Sequence, residues 1–126
     1  MGELNNSFTL SMATDQDEKL LFDWINDIDV RKWSFNHEKI LLDEHKAWFK
    51  NKIDDKNVLI WIFRKNSYDI GMVRLEKEDN QAILNYLISA RYRGQNYATP
   101  MLKMAIQKVK KIWRSIRVVA YTLSNN

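Results

Sequence analysis

The loop formed by residues 91–98 carries groups suited to binding a phosphate ester. It reads Arg-Tyr-Arg-Gly-Gln-Asn-Tyr-Ala, and a helical pattern follows it. The first N–H groups of a helix have no intrahelical partner and carry partial positive charge, so a helix start binds anions. Gly94 permits a positive φ, and asparagine, as at Asn96, is among the few other residues that tolerate it. The residues alone leave two interpretations open: a pyrophosphate cradle, or a strand–loop–helix connection without a ligand.

The elements before this loop are predicted from hydrophobic spacing. Residues 8–12 alternate apolar and polar side chains, which predicts a strand. Apolar residues at helical spacing predict amphipathic helices over residues 15–28 and 43–53. The connector of residues 29–40 is interpreted as a loop, unusually rich in aromatic and hydrogen-bonding side chains.

The second half of the chain changes period. Short apolar or alternating runs separated by brief polar turns predict an antiparallel meander, with strands over residues 58–63, 68–76 and 81–90. A long helix starts near residue 98, with Pro100 in its first turn, and a last strand covers residues 117–123. The order strand, helix, helix, three strands, helix, strand predicts an α+β fold that ends in a parallel crossover. Spacing places Trp24, Trp48, Trp61 and Trp113 in the core.

Composition excludes several classes of protein. The 126 residues correspond to one domain, and the absence of cysteine excludes disulfides and thiolate metal sites. We expect no metal. The longest apolar runs fall far short of the roughly 20 residues that span a bilayer, and the N-terminus has no signal-peptide pattern. We therefore expect a cytoplasmic location and no membrane partner.

Charge is distributed unevenly along the chain. The net charge is +4; residues 1–27 hold six acidic side chains and one lysine, whereas residues 103–117 hold six basic side chains and no acidic one. A basic C-terminal third indicates an anionic partner, such as nucleic acid, a phosphate ester or a cofactor phosphate. The alternative is a solvated helix face.

Residues 93–98 resemble the acyl-CoA signature Arg/Gln-x-x-Gly-x-Gly/Ala of the GNAT N-acetyltransferases, and they stand where that fold places it, between the fourth strand and the third helix. The resemblance covers nearly the whole chain. It implies a GNAT-like fold, with a central mixed sheet flanked by helices, and acetyl-CoA as cosubstrate. The residues that would bind acetyl-CoA are Leu87, Ile88, Arg93, Gly94, Gln95, Asn96, Tyr97, Ala98 and Thr99.

The front half resembles those GNAT enzymes that acetylate nucleotide-linked amino sugars, as in pseudaminic-acid-type pathways. The segments that carry this are Trp24-x-Asn26-Asp27-x-x-Val30-Arg31, Ser34-Phe35-Asn36 and His45-Lys-Ala-Trp48-Phe49. The resemblance implies a small-molecule amine acceptor. Its contacts would be Arg31, Asn36, His37 and His45, with loop-bracing or packing as the alternative role of each.

The same resemblance implies the catalytic groups. The backbone N–H of Ile88 would donate to the acetyl oxygen, a kind of contact typically worth a few kcal/mol of barrier. The fourth strand holds no acidic residue, so Glu76, at the end of the third strand, is the candidate general base.

Two departures from the family pattern stand out. Asn96 occupies the position where the signature has glycine, and the sequence ends after the fifth strand. The resemblance therefore implies a single, incomplete domain over residues 1–126, without the last helix and last two strands. The chain would be a fragment or would be completed by a partner. An uncovered last strand predicts a homodimer through that edge.

Three functions compete. The first is an acetyl-CoA-dependent N-acetyltransferase acting on a primary amine. The second is a non-catalytic GNAT-like module that binds CoA or a protein partner. The third, a nucleic-acid binder that uses the basic helix, ranks last because nothing else resembles a nucleic-acid-reading element.

Overall fold

The computed structural model describes residues 7–32, 34 and 37–120. Over these residues the strands are β1 (Phe8–Met12), β2 (Val58–Lys65), β3 (Tyr68–Glu78), β4 (Gln81–Ile88) and β5 (Arg117–Ala120). The helices are α1 (Glu18–Ile25), α2 (Ile28–Lys32), α3 (Leu42–Ile53) and α4 (Ala98–Ile112), with 3-10 turns at Asp15–Asp17 and Ala90–Tyr92.

The strands form one mixed sheet in the order β1-β2-β3-β4-β5. The first three pairings are antiparallel, and β4 pairs in parallel with β5 after the α4 crossover. Asn66 and Ser67 both have positive φ, as a two-residue turn between twisted strands requires. The predicted α+β order, the meander and the parallel crossover are confirmed.

Helices cover both faces of the sheet. On one face α4 packs on the cluster that includes Trp61, Val73 and Met101, and on the other α1 and α3 cover Ile60 and Ile62. Residues 58–63 are buried throughout because both faces of β2 are covered. Of the four tryptophans predicted to be core residues, only Trp61 is fully buried; Trp24, Trp48 and Trp113 are half-buried at the edges of the two layers.

The first predicted helix differs most from the structure. Thr14 and Asp17 form a capping box, but this box opens a 3-10 turn, and the α-helix ends at Ile25. The side chain of Asn26 ends it, because its amide exchanges hydrogen bonds with the backbone of Ile40 at 2.8 and 2.7 Å. A new short helix, α2, then occupies part of the segment predicted as a loop.

The remaining bounds differ by a few residues. The third strand of the meander ends at Ile88 rather than at residue 90, since the chain turns into the 3-10 turn after Ser89. The last strand is seen over Arg117–Ala120, and residues 121–123 of that prediction lie outside the described residues. None of the helices described is long and apolar enough to cross a membrane.

Candidate active site

The segment of residues 93–99, called here the anion loop, adopts the backbone that the sequence predicts. Gly94 and Asn96 have φ of 77° and 67°, in the left-handed region. A Cβ at Gly94 would meet nothing within 4 Å, so glycine is needed there for its φ alone. The Thr99 hydroxyl lies 3.2 Å from Asn96 Oδ1, which links the loop to the first turn of α4.

The rest of the anion loop leaves the start of α4 open. Gly94, Gln95, Asn96 and Thr99 are exposed, Tyr97 and Ala98 are half-buried, and Gln95 donates back to the Arg91 carbonyl. Pro100 lacks an N–H and lies in the first turn, where none is needed. The unpaired N–H groups of this turn therefore face solvent at a position suited to a pyrophosphate.

The side chain of Arg93 is held by other protein groups. Its Nε donates to the Ile88 carbonyl at 2.9 Å, and its Nη1 forms ion pairs with Asp27 at 3.1 Å and Asp29 at 3.3 Å. Burial acts to raise the pKa of Asp27, but the hydrogen bonds from Arg93 and from the N–H groups of Val30 and Asp29 outweigh it and lower that pKa. Arg93 thus ties the end of β4 to the start of α2.

The predicted oxyanion donor lies at the end of β4. Ser89 N–H donates to Ile70 on β3, and Arg117 N–H donates to Asn80. Because N–H directions alternate along a strand, the N–H of Ile88 points to the side of β4 on which β5 lies. The described register between the two strands ends at Leu84. Ile88 N–H therefore faces away from the β3 ladder.

Two neighbouring cavities share part of their lining next to Ile88. The strand-end cavity, of about 450 Å³, is lined by Asp29, Val30, Leu87, Ile88 and Arg93. A second cavity of about 170 Å³, called the His45 cleft, lies between the helices α1–α3 and the strands β3 and β4. Its lining is Leu21, Ile25, Val30, Arg31, Ser34, His45, Trp48, Met72, Arg74, Asn85, Tyr86 and Leu87. Val30 and Leu87 belong to both cavities.

His45 is the most unusual group in the cleft. Its side chain is only 2% exposed, among the rings of Phe22, Trp48 and Phe49, and neither ring nitrogen has a hydrogen-bond partner among the described residues. Burial lowers the pKa of His45, against a smaller opposing effect of the Glu18 charge. The imidazole is therefore neutral at physiological pH and has an unused acceptor nitrogen.

Arg74 provides the main charge of the cleft. It faces Asn85 across β3 and β4, its guanidinium carbon lies 5.1 Å from the Trp48 ring centroid, and its Nε lies 3.0 Å from Glu76 Oε2. Burial lowers the pKa of Arg74, and the Glu76 charge opposes that effect. Neither Nη atom has a hydrogen-bond partner within the described part of the chain.

The other predicted acceptor and base residues are placed as follows. Arg31 lines the cleft, but it donates to the carbonyls of Ile25 and Glu38 and to the Ser34 hydroxyl, so it braces its own loop. His37 is exposed and does not line the cleft, and Asn36 lies outside the described residues. Glu76 also lies outside the cleft lining; Lys52 Nζ contacts its Oε1 at 2.8 Å, so two cations hold its carboxylate.

Sequence reasoning missed Arg74, Asn85 and the cleft role of Trp48. The alternation along β3 and β4 carries a signal for the first two, because it places residues 74 and 85 on the face that also carries Met72 and Leu87. An arginine on the covered face of a mostly buried strand is rare without a partner or a ligand. Within the described residues, no group of three or more His, Cys, Asp or Glu is placed to hold a metal ion.

A mixed sheet with an anion loop opening the crossover helix is the arrangement that the resemblance to the GNAT fold implies. The sequence model for the acetyltransferase (GNAT) domain matches residues 7–126, and the chain belongs to this family. It is therefore an acyltransferase of the type that takes acetyl from acetyl-CoA. No curated protein sequence matches the chain.

Solved structures of the same fold are distant in sequence. A domain from Methanocaldococcus jannaschii has a TM-score of 0.82 and 21% identity, over 96% of this chain and 80% of that one. An N-acetyltransferase from Staphylococcus aureus Mu50 has a TM-score of 0.76 and 20% identity, over 95% of this chain and 76% of that one. Spermidine N-acetyltransferase from Vibrio cholerae, in complex with CoA and spermine, has a TM-score of 0.75 and 17% identity, over 83% of this chain and 64% of that one.

Proposed function

We propose that this chain transfers the acetyl group of acetyl-CoA to a primary amine held in the His45 cleft. The observation that carries the proposal is that the two cavities share Val30 and Leu87 in their linings and that Ile88 lines the strand-end cavity. The thioester would enter the strand-end cavity from the anion loop, and the amine would enter from the opposite side. The two reactants would then meet at the end of β4.

The reaction needs an oxyanion donor and a proton acceptor. The amine nitrogen first bonds to the thioester carbonyl carbon to form a tetrahedral oxyanion; the C–S bond then breaks, the carbonyl re-forms and CoA leaves as the thiolate. The N–H of Ile88 would stabilise the oxyanion that forms between the two events. The amine must lose a proton, and we assign the neutral imidazole of His45, which lines the cleft, as its acceptor. Glu76, the base expected from the sequence, stays a prediction. To act as the base, its carboxylate would have to accept a proton while it is paired with Lys52 and Arg74.

The finer acceptor class is a nucleotide-linked amino sugar. Arg31 and His45, two of the residues on which that resemblance depends, line the cleft, and this placement supports the proposal. The contacts of Asn36 and His37, a cytoplasmic location and pairing of two copies through β5 stay predictions. On the basic run of α4, Lys108 donates to the Leu10 carbonyl and lies 5.2 Å from the Trp61 ring centroid, so this one lysine is held against the sheet; a nucleic-acid surface on the rest of the run stays a prediction.

A thermal-shift titration with acetyl-CoA tests the proposal first. Ligand at 100 times its Kd adds about 2.7 kcal/mol, which corresponds to a rise in Tm of several degrees. Adenosine 3′,5′-bisphosphate, which is the nucleotide part of CoA, tests nucleotide binding separately from binding of the thioester. Release of free CoA with a panel of primary amines then measures transfer. A folded sample that neither ligand stabilises would contradict the proposal and favour the non-catalytic alternative.

A further inference from the structure

We propose that the acceptor amine belongs to an anionic molecule whose carboxylate or phosphate binds Arg74, and that polycationic amines are excluded. The inference rests on the proposed function, since it names the acceptor class of the His45 cleft. It separates this chain from the Vibrio cholerae relative, which is described as a spermidine N-acetyltransferase.

The charges that line the cleft are of one sign. Arg31 and Arg74 contribute positive charge, His45 is neutral, and no carboxylate lines the cleft within residues 7–32, 34 and 37–120. An amine acceptor with several ammonium groups needs carboxylates to replace the water it loses on binding. This lining instead repels such a ligand and attracts an anion.

The nearest carboxylate does not neutralise Arg74. Glu76 is shared between Arg74 on its own strand and Lys52 on α3, at 3.0 and 2.8 Å. One negative charge therefore serves two cations, and the cluster keeps a positive excess at the edge of the cleft. Low exposure strengthens the effect, because only 21% of the Arg74 side chain is exposed.

The geometry of Arg74 suits a carboxylate or a phosphate. Its guanidinium carbon lies 5.1 Å from the Trp48 ring centroid, within cation–π range, and Glu76 contacts the group through Nε. The two Nη atoms, without partners among the described residues, form a rigid fork that matches two oxygens of an anion. Asn85, directly opposite on β4 and exposed, adds a neutral donor for the same group.

Calorimetric titration with matched amines tests this inference. The probes are O-phosphoethanolamine against ethanolamine, glucosamine 6-phosphate against glucosamine, glycine against glycinamide, and spermidine, all with CoA saturating. The first two pairs report phosphate, and the third reports carboxylate. We expect the anionic member of at least one pair to bind ten times more tightly than its partner, and spermidine to bind more weakly than that member.

Three variants assign the preference to Arg74. Arg74→Gln should reduce the anionic preference to twofold or less. Lys50→Gln removes the same charge from the exposed face of α3 and should leave the preference unchanged. Arg74→Lys keeps the charge but loses the fork, so it should keep only part of the preference. The wild-type comparison decides the question even where Arg74→Gln does not fold.

The inference is overturned if no pair favours its anionic member, if spermidine binds most tightly, or if the preference survives in Arg74→Gln. Each of these results leaves the proposed acetyl transfer standing, provided that acetyl-CoA raises the Tm. Failure of acetyl-CoA to stabilise the chain would instead remove the proposed function, whatever the anion preference of the cleft.

Discussion

The anion loop and the His45 cleft offer different parts of the chain to a ligand. The loop presents main-chain N–H groups of consecutive residues, held by two left-handed backbone positions at Gly94 and Asn96. The cleft presents side chains from three helices and two strands, and residues as far apart in sequence as Leu21 and Leu87 line it. A main-chain site depends on φ and on N–H groups, whereas a side-chain site depends on packing, burial and charge.

This difference predicts which substitutions each region tolerates. In the loop and at the end of β4, only changes that alter φ or remove an N–H should matter. In the cleft, even changes that keep shape should matter when they alter hydrogen bonding. The variants below test that contrast, beginning with the largest expected effect.

Ile88→Pro should cause the largest loss. It removes the N–H that we assign to the oxyanion, and that N–H does not belong to the β3–β4 ladder. We expect kcat to fall about 100- to 1,000-fold, as when one oxyanion donor is lost. Ile88→Val keeps the N–H and most of the side chain, so its kcat should change less than about threefold. Steady-state kinetics on samples of known Tm measure both. Equal losses in the two variants would contradict a main-chain role.

His45→Gln and Glu76→Gln separate the two candidate bases. If His45 accepts the proton, His45→Gln should lower kcat about 100-fold or more, the usual range for a general base. Glu76→Gln should act mainly on stability, lowering it by about 1–3 kcal/mol because Lys52 and Arg74 lose their shared carboxylate. Rates at saturating acetyl-CoA and urea unfolding provide the two readouts. A large loss of kcat in Glu76→Gln, with little loss in His45→Gln, would instead identify Glu76 as the base.

The contrast also explains how much the sequence could predict. Local patterns located the strands of the meander, the crossover helix and the backbone of the anion loop, because each depends on neighbouring residues. The break at Asn26 could not be predicted, since it depends on a pairing with Ile40 across 14 residues. Arg74 was missed for the same reason: its contact with the Trp48 ring exists only after α3 packs on the sheet.

Asn96→Val and Asn96→Gly test the loop through its backbone. A β-branched residue is strained at a φ of 67°, so Asn96→Val should lose about 1–3 kcal/mol of stability and about tenfold in acetyl-CoA affinity. Glycine adopts this φ without strain, so Asn96→Gly should bind acetyl-CoA at least as tightly as the wild type. Calorimetry with acetyl-CoA measures both. Tighter binding by Asn96→Val would mean that the Asn96 side chain, rather than the φ at this position, controls the loop.

The smallest effect that we expect is the change that His45→Phe makes to the pH dependence of stability. Burial lowers the pKa of His45 in the folded chain below its unfolded value of about 6.5, so the unfolded chain binds more protons in that window. The stability contributed by the neutral His45 is therefore fully present above pH 6.5, and it declines as the pH falls toward the lowered pKa of the folded chain. The Glu18 charge from α1 moderates the decline.

Phenylalanine cannot be protonated and leaves no nitrogen unpaired among Phe22, Trp48 and Phe49. We expect His45→Phe to gain about 1 kcal/mol at pH 7.5 and to lose less stability than the wild type at pH 5.5, while acetyl transfer falls. Urea unfolding at the two pH values gives the comparison. If the wild type and His45→Phe lose the same stability between pH 7.5 and 5.5, a group other than His45 causes the pH dependence. A variant that is more stable but less active would show that the unpaired imidazole is retained for its chemistry, since packing alone favours its replacement.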